Sequence, residues 1–452
     1  MRNGTLPRYT KPETHMAFID DIIGLAQTPS QDISTAALTL AGFSLPDWIV
    51  CGRAGIEEPL SRKLRQLAHK EGGAPEASVL GGDMVPARMA ALVNGATSHA
   101  LDFDDTHFAH IGHLSVGIYP AALAVGEELD VSAREVIAAF TVGAEVAIRI
   151  GLVLGADHYN HGFHQTATAG AFGATVAAGR LYGLTDLQMR HAIGLCATRA
   201  SGLKSQFGTM GKPYNAGIAA ANGVECAQLA ALDFTSATDG LMGDQGFVAT
   251  HQAGGDVATA WAIPPREKFL FEDNKYKLHA CCHGLHAMIE ALSDPELADC
   301  ALDGVASLEI RTNPRWLRVC DKKRPQTGLE VKFSYAWLAG MTLRGDETGN
   351  DRIYTDAVTQ DPALVDFAQK VTVTGDERLS DTQVAGTLRR KDGSDVPVAF
   401  DLMDPLPPQV LESKLRAKAM AIMADDGVAI WDQCGSLSGM TARDVGKLLK
   451  PN

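Results

Sequence analysis

The chain is predicted to be mainly α, with a large all-helical domain built from both chain ends and a smaller α+β domain inserted between them. Three observations predict this. Amphipathic or Ala/Gly-rich stretches with helix-cap signals run almost unbroken over residues 16–265. After Pro264–Pro265 the texture changes to short runs of β-branched residues with turn signals. From Pro408 a helical pattern returns in QVLESKLRAKAMAIM. The expected division is 1–267, 268–405 and 406–452. A length of 452 residues also exceeds one ordinary domain.

In order, residues 1–15 read as a polar arm with two prolines. Residues 16–28 and 31–43 read as helices, the second with Ser30 as a candidate cap. Residues 59–71 form a basic helix ended by GGAP, and 76–80 is a short extended piece. Helices are expected over 86–102 and 115–128. Ser132 with Glu135 is a capping box that starts an apolar helix to about Leu154, and Thr185 with Gln188 opens another over 186–201. The stretch 166–183 is rich in Ala and Gly, which costs helix propensity and implies close packing against neighbours. Pro213 stands at a first-turn position for 213–232. In the inserted domain, 283–293 and 333–343 are helices. Residues 306–312, 370–377, 383–390 and 395–402 are strands, with KDGS turning between the last two. Thr441 with Asp444 caps a last short helix.

Composition removes several function classes. Net charge is −14, so a nucleic-acid partner is not expected. The most apolar run, VIAAFTVGAEVAIRIGLVLGA, carries Glu145 and Arg149 and reads as a buried helix, so no membrane association is expected. The N-terminus lacks the apolar core of a signal peptide. The eight cysteines are scattered without a CxxC pair, which fits free thiols in a cytoplasmic protein. No Gly-rich phosphate loop follows a strand, so no nucleotide domain is expected.

The densest chemistry is NGATSHALDFDDTHFAHIGH, residues 94–113, which crowds Asp102, Asp104, Asp105, Thr106, His99, His107, His110 and His113 together. Polar groups gathered at the junction of two buried helices need partners, and such clusters mark functional sites. Its complements are HYNHGFHQTATAG (158–170), FGTMGKPYNAG (207–217), YKLHACCHGLH (276–286) and KFSYAW (332–337). All are expected to converge. The histidines lack a recognised metal-ligand spacing, and no metal or other cofactor is expected. Cys281 and Cys282 beside His279 and His283 could form a thiolate, but buried free thiols are the simpler reading. Lys212, Lys277, His113 and His164 would form a cationic pocket in an acidic protein, suited to a small di- or tricarboxylate. Lys as a compact charge, His as a proton carrier and Tyr as a weak acid can move a proton beside a carboxylate and stabilise the charge that develops.

In this ordered series of blocks the chain resembles the MmgE/PrpD family, which includes 2-methylcitrate dehydratases, cis-aconitate decarboxylases and iminodisuccinate epimerases. The likeness runs from about Phe18 to about Met423, and its specific parts are NG…HALDFDDTH and GKP…AG. The resemblance implies a helical domain with a smaller α+β domain, a homodimer and metal-independent chemistry. It places Asp102 and Thr106 at the site, with His113 just past that block after one extra residue. His164 in GFHQTAT, Lys212 in GKPYN, Lys277 before LHACCHGLH and Tyr335 in KFSY match further site positions, and Tyr159 matches the epimerase-like members. The family often has proline where this chain has Ala280. The role assignments are His113 or His164 as proton-transfer group, Lys212 and Lys277 as carboxylate ligands, Thr106 and Asp102 as orienting groups, and Tyr159 as a second acid/base. The plain alternatives are surface lysines, a core Tyr335 and a helix-capping aspartate. The leading expectation is a 2-methylcitrate dehydratase-like lyase. Epimerisation of a substituted succinate and decarboxylation of a cis-aconitate-type acid are the alternatives.

Overall fold

The computed structural model describes residues 13–298 and 301–451. The arm expected over 1–15 lies, up to residue 12, outside the described residues. The chain divides into two compact units, Met1–Asn274 with Ala429–Asn452, and Lys275–Val428.

The first unit is helical. Its elements are α1 (Glu13–Ala26), α2 (Thr35–Ala54), α3 (Pro59–Glu71), a small antiparallel hairpin of β1 (Ala77–Val79) and β2 (Gly82–Val85), then α4 (Ala87–Ser98), α5 (Ser115–Leu129), α6 (Ala133–His161), α7 (Gln165–Leu181), α8 (Asp186–Arg199) and α9 (Gly211–Ala231). α4, α5, α7 and α9 pack on one another, and α6 packs on α7. Small residues permit this. A Cβ on Gly173 would stand 2.5 Å from the Gly143 carbonyl of α6, closer than any side chain tolerates. The capping boxes at Ser132/Glu135, Thr185/Gln188 and Thr441/Asp444 are all formed. α6 is long and apolar enough to cross a membrane, but 94% of its most apolar window is buried inside the fold. Its Glu145 and Arg149 pair there at 2.7 Å, both fully buried.

Several boundaries differ from expectation. α2 runs on to Ala54 through Pro46, because Leu45, Trp48, Ile49 and Val50 bury a continuous face whose packing outweighs the proline. Its cap is Ser34, which accepts from the Ala37 N–H, and not Ser30. α4 ends at Ser98, so the acidic block lies in a loop. α6 extends past Leu154 to His161 across non-helical Gly155.

The second unit holds a four-stranded sheet in the order β4-β3-β5-β6, with β3 (Val305–Thr312), β4 (Val371–Gly375), β5 (Gln383–Arg390) and β6 (Asp395–Asp401). β3 pairs parallel with β4 (Leu308↔Val371) and antiparallel with β5 (Leu308↔Leu388), and β5 continues antiparallel to β6. Val305, Leu308, Ile310 and Thr312 alternate inward. Helix His286–Leu292 packs on β5, β6 and helix Tyr335–Leu343. Helix Pro408–Met423 belongs to this unit, so the chain returns to the first unit at Ala429 and not at 406. Lys414 on that helix pairs with Glu290 at 2.6 Å, an attachment the helical periodicity alone does not disclose.

Candidate active site

The loop between α4 and α5 builds the site. α4 stops at Ser98 with His99 as its C-terminal cap. Asp102 then takes a left-handed conformation, φ 53°, which aspartate tolerates better than most residues. Asp105 caps the following helix rather than the preceding one: the Ser115 backbone N–H and hydroxyl donate to its carboxylate at 3.0 and 2.7 Å. The Asn274 amide donates to it as well, at 2.8 Å. Burial pushes this carboxyl above the usual range. The loop then closes on itself through paired His107 and Gly112 backbones. Gly112 is needed there, since a Cβ would lie 2.8 Å from the Thr166 nitrogen in the first turn of α7. That approach lets Thr166 Oγ1 accept from the His113 backbone N–H at 3.0 Å.

The centre is Asp104, whose side chain is fully buried. Its Oδ1 is 2.8 Å from His99 Nδ1 and its Oδ2 is 2.7 Å from His113 Nδ1. Burial alone would push this carboxyl up, but the two adjoining imidazoles hold it well below the usual range. The His99 and His113 rings meet edge to face at 4.5 Å. On its other side His113 presents Nε2 to Asp102 Oδ1 at 3.4 Å, and the Lys212 ammonium stands 2.7 Å from that same oxygen. Lys212 comes from the first turn of α9, where Pro213 sits inside the helix as the sequence predicts.

His164 is the N-cap residue of α7 and is buried. Its backbone N–H donates to Gly202 O at 3.0 Å, and Phe163 bridges Leu203, so the α6–α7 and α8–α9 connections are tied together here. The Asn215 amide nitrogen lies 3.1 Å from His164 Nδ1 and 3.3 Å from Leu203 O. A carbonyl can only accept, so the amide nitrogen is placed correctly and His164 Nδ1 must accept from it. The ring proton therefore sits on Nε2. Burial, reinforced by His99, Lys212 and His113, drives the His164 pKa well below the ordinary imidazole value and keeps the ring neutral. Phe207 packs edge-on to His164 at 5.0 Å, and its ring centroid is 5.6 Å from the Lys212 ammonium.

Four predicted residues thus converge in the first unit: Asp102, His113, His164 and Lys212. Thr106 is half-buried on the same loop. Tyr159, at the end of α6, has the Lys204 ammonium 3.6 Å from its ring centroid and donating to its backbone carbonyl at 3.0 Å. Lys277 and Tyr335 belong to the second unit. Lys277 is buried, and its charge acts on Cys281 and His286. Tyr335 donates from its hydroxyl to Gly284 O at 2.8 Å, and burial raises its pKa, so it holds the 283–285 turn as a neutral phenol. Cys281 remains a thiol for the same reason: burial and neighbouring Cys282 raise it more than Lys277 and Lys332 lower it. Of the evenly spaced histidines only His113 reaches the site. His107 contacts Leu270 O at 2.9 Å and His110 contacts Ala147 O at 3.2 Å, both serving the loop's shape.

Ligand atoms of His99, Asp102, Asp104 and His113 lie within 4.8 Å of one another. The set does not fit a cation well. Both Nδ1 positions face Asp104, where protonated nitrogens belong, and the Lys212 ammonium already occupies the Asp102 side.

Burial also gives the first unit an acid response. It lowers His99 and His158 to about 4 and His110 to about 3. Below an ordinary imidazole pKa of 6.5 the unfolded chain binds protons that the folded chain refuses. Stability is therefore complete above about 6.5 and declines as pH falls towards 4, by up to about 1.4 kcal/mol per pH unit for each such histidine. The urea midpoint is expected to be clearly lower at about pH 5 than at about pH 7.5; an unchanged midpoint would contradict the neutral buried rings.

The family model described as MmgE/PrpD N-terminal domain matches residues 25–260, and that described as MmgE/PrpD C-terminal domain matches residues 279–423. A cis-aconitate decarboxylase of Aspergillus terreus is 27% identical over 469 aligned residues, covering 93% of this chain and 92% of that protein. A cis-aconitate decarboxylase-like protein of Aspergillus oryzae is 29% identical over 277 residues, 58% of each chain. The Homo sapiens cis-aconitate decarboxylase is 33% identical over 153 residues, 33% of this chain and 32% of that protein.

Proposed function

For a chain that belongs to the MmgE/PrpD family, we propose metal-independent acid–base lyase chemistry on a small polycarboxylate, with decarboxylation of a cis-aconitate-type acid as the reaction. The observation that carries it is the buried Asp104 carboxylate beside two imidazoles, with Lys212 adjoining through Asp102. The near full-length similarity to a cis-aconitate decarboxylase supports decarboxylation over the dehydration expected from sequence.

Breaking a carbon–carboxylate bond releases carbon dioxide and leaves the bonding pair on the carbon skeleton. An adjoining double bond and carboxylate spread that charge, and one proton then quenches it. His113 suits the proton carrier: Nδ1 is held by Asp104, and Nε2 is the nitrogen that exchanges. Neutral His164 suits a different task, donating from Nε2–H to the developing negative charge. Lys212 holds a carboxylate that stays on the substrate, taking the place of its present partner, the half-exposed Asp102. Lys277 is assigned the same class of role.

Proton NMR in heavy water with cis-aconitate, 2-methylcitrate and substituted succinates tests the reading. Carbon dioxide release with deuterium entering the product supports it. Water loss would replace decarboxylation by dehydration, and deuterium wash-in at one carbon without a new product class would replace it by epimerisation. Turnover is expected to survive exhaustive chelation; loss restored by a divalent cation would overturn the metal-independent part. Lys212→Ala is expected to raise KM about tenfold or more with kcat changed less, the mark of lost ground-state binding. An unchanged KM would remove Lys212 from substrate binding.

A further inference from the structure

His99 carries no role in the chemistry above and Asp104 enters it only beside His113 Nδ1, yet both are among the most enclosed polar groups of the site. Both side chains are fully buried. A buried carboxylate is costly unless its oxygens are well partnered, and Asp104 gives one oxygen to each of two rings. We propose that Asp104 and His99 form a buried positioning pair that keeps the His113 proton on Nδ1 and fixes that ring's edge, leaving Nε2 as the exchanging nitrogen. This rests on the reading of His113 as proton carrier.

The geometry constrains the ring from three sides. The Asp104 oxygen stands 2.7 Å from Nδ1, where its charge favours an N–H, although the two atoms do not meet at hydrogen-bond angles. The His99 ring, tilted 62° at 4.5 Å, packs against the His113 ring and stands in the way of its turning over. The His113 backbone N–H is fixed on Thr166 Oγ1. His99 meanwhile donates from its own Nδ1 to the other Asp104 oxygen, which locks the carboxylate rotamer. Its Nε2 is buried without a hydrogen-bond partner, the arrangement left when a neutral ring is used for its one donor. A neutral His99 leaves the Asp104 charge for His113 alone.

Labelling the full chain with nitrogen-15 histidine and recording two-bond imidazole spectra reads the tautomers without any need for turnover. The wild type is expected to show protonated Nδ1 at both His99 and His113. Asp104→Asn offers one acceptor and one donor in place of two acceptors, so one of the two rings must move its proton to Nε2, and kcat is expected to fall about 100-fold with KM within a few-fold. His99→Leu removes the second donor and is expected to lower kcat at least about tenfold, whereas His99→Asn, which keeps an N–H near the same place, should stay within a few-fold of wild type. Unprotonated Nδ1 at His113 in the wild type, or equal losses in the two His99 variants, would overturn the proposal. Should Asp104→Asn fail to fold, those two readings still decide. Absence of turnover by the wild type with every acid tried would sink the lyase reading while the tautomer spectra continued to judge this one.

Discussion

Replacing His113 by alanine is expected to lower kcat by about 10³–10⁴-fold and to cost about 1–3 kcal/mol of stability, well short of unfolding. The size follows from the role. A proton carrier lost from a site with no second group at the same place costs the full general acid–base contribution. His164 does not substitute: its Nδ1 accepts from Asn215 and its neutral ring holds the Nε2 proton firmly. The stability cost arises because the fully buried Asp104 carboxylate loses the imidazole beside one of its oxygens. His164→Ala should cost less, about 10²–10³-fold, because one hydrogen-bond donor to the developing charge is removed. The pair is read from single-turnover rates at saturating substrate. Near wild-type kcat in His113→Ala would end its assignment as proton carrier, and a larger loss in His164→Ala than in His113→Ala would exchange the two roles.

Much of this site was legible from residue order. The block 94–113, the GFH triplet and the GKPYN block pointed to the three segments that converge in the first unit. What the sequence withheld was which of eight polar residues in the block does what. His99 and Asp104 were visible as members of the cluster, but their five-residue spacing carries meaning only once α4 is known to stop at Ser98 and Asp102 to turn left-handed. Read as a helix to residue 102, the same spacing would place them on different turns with no shared carboxylate. That Asp102 is half-exposed and Asp104 fully buried, two residues apart, shows only in the folded loop. The cap boxes were read correctly because their contacts are local. The course of α2 through Pro46 and the attachment of helix Pro408–Met423 depend on packing with residues far away in sequence, which periodicity does not report.

Glu145→Ala is expected to cost the first unit about 3–5 kcal/mol, the largest loss of stability among the single changes considered. Both partners of the Glu145–Arg149 pair have fully buried side chains. Removing the carboxylate strands a guanidinium that water cannot reach, and its remaining donors are already spent on Ala260 O at 2.6 Å and Ile263 O at 3.1 Å. The consequence runs into the site. Glu145 Oε2 accepts from the Phe271 N–H at 2.9 Å, and Arg149 stands 4.3 Å from the centre of the Trp261 ring. The segment so anchored supplies Leu270 O to His107 and the Asn274 amide to Asp105, two contacts that help shape the α4–α5 loop. The double variant Glu145→Leu with Arg149→Met, which removes both charges together, should recover most of the loss, because a buried pair is replaced at little net cost by apolar groups of similar volume. Urea midpoints for the wild type, the single variant and the double variant decide the matter: a single variant within about 1 kcal/mol of wild type would show that the pair is not the keystone of this segment. A double variant as weak as the single one would show that the backbone contacts to Phe271, Ala260 and Ile263, and not the stranded charge, carry the stability.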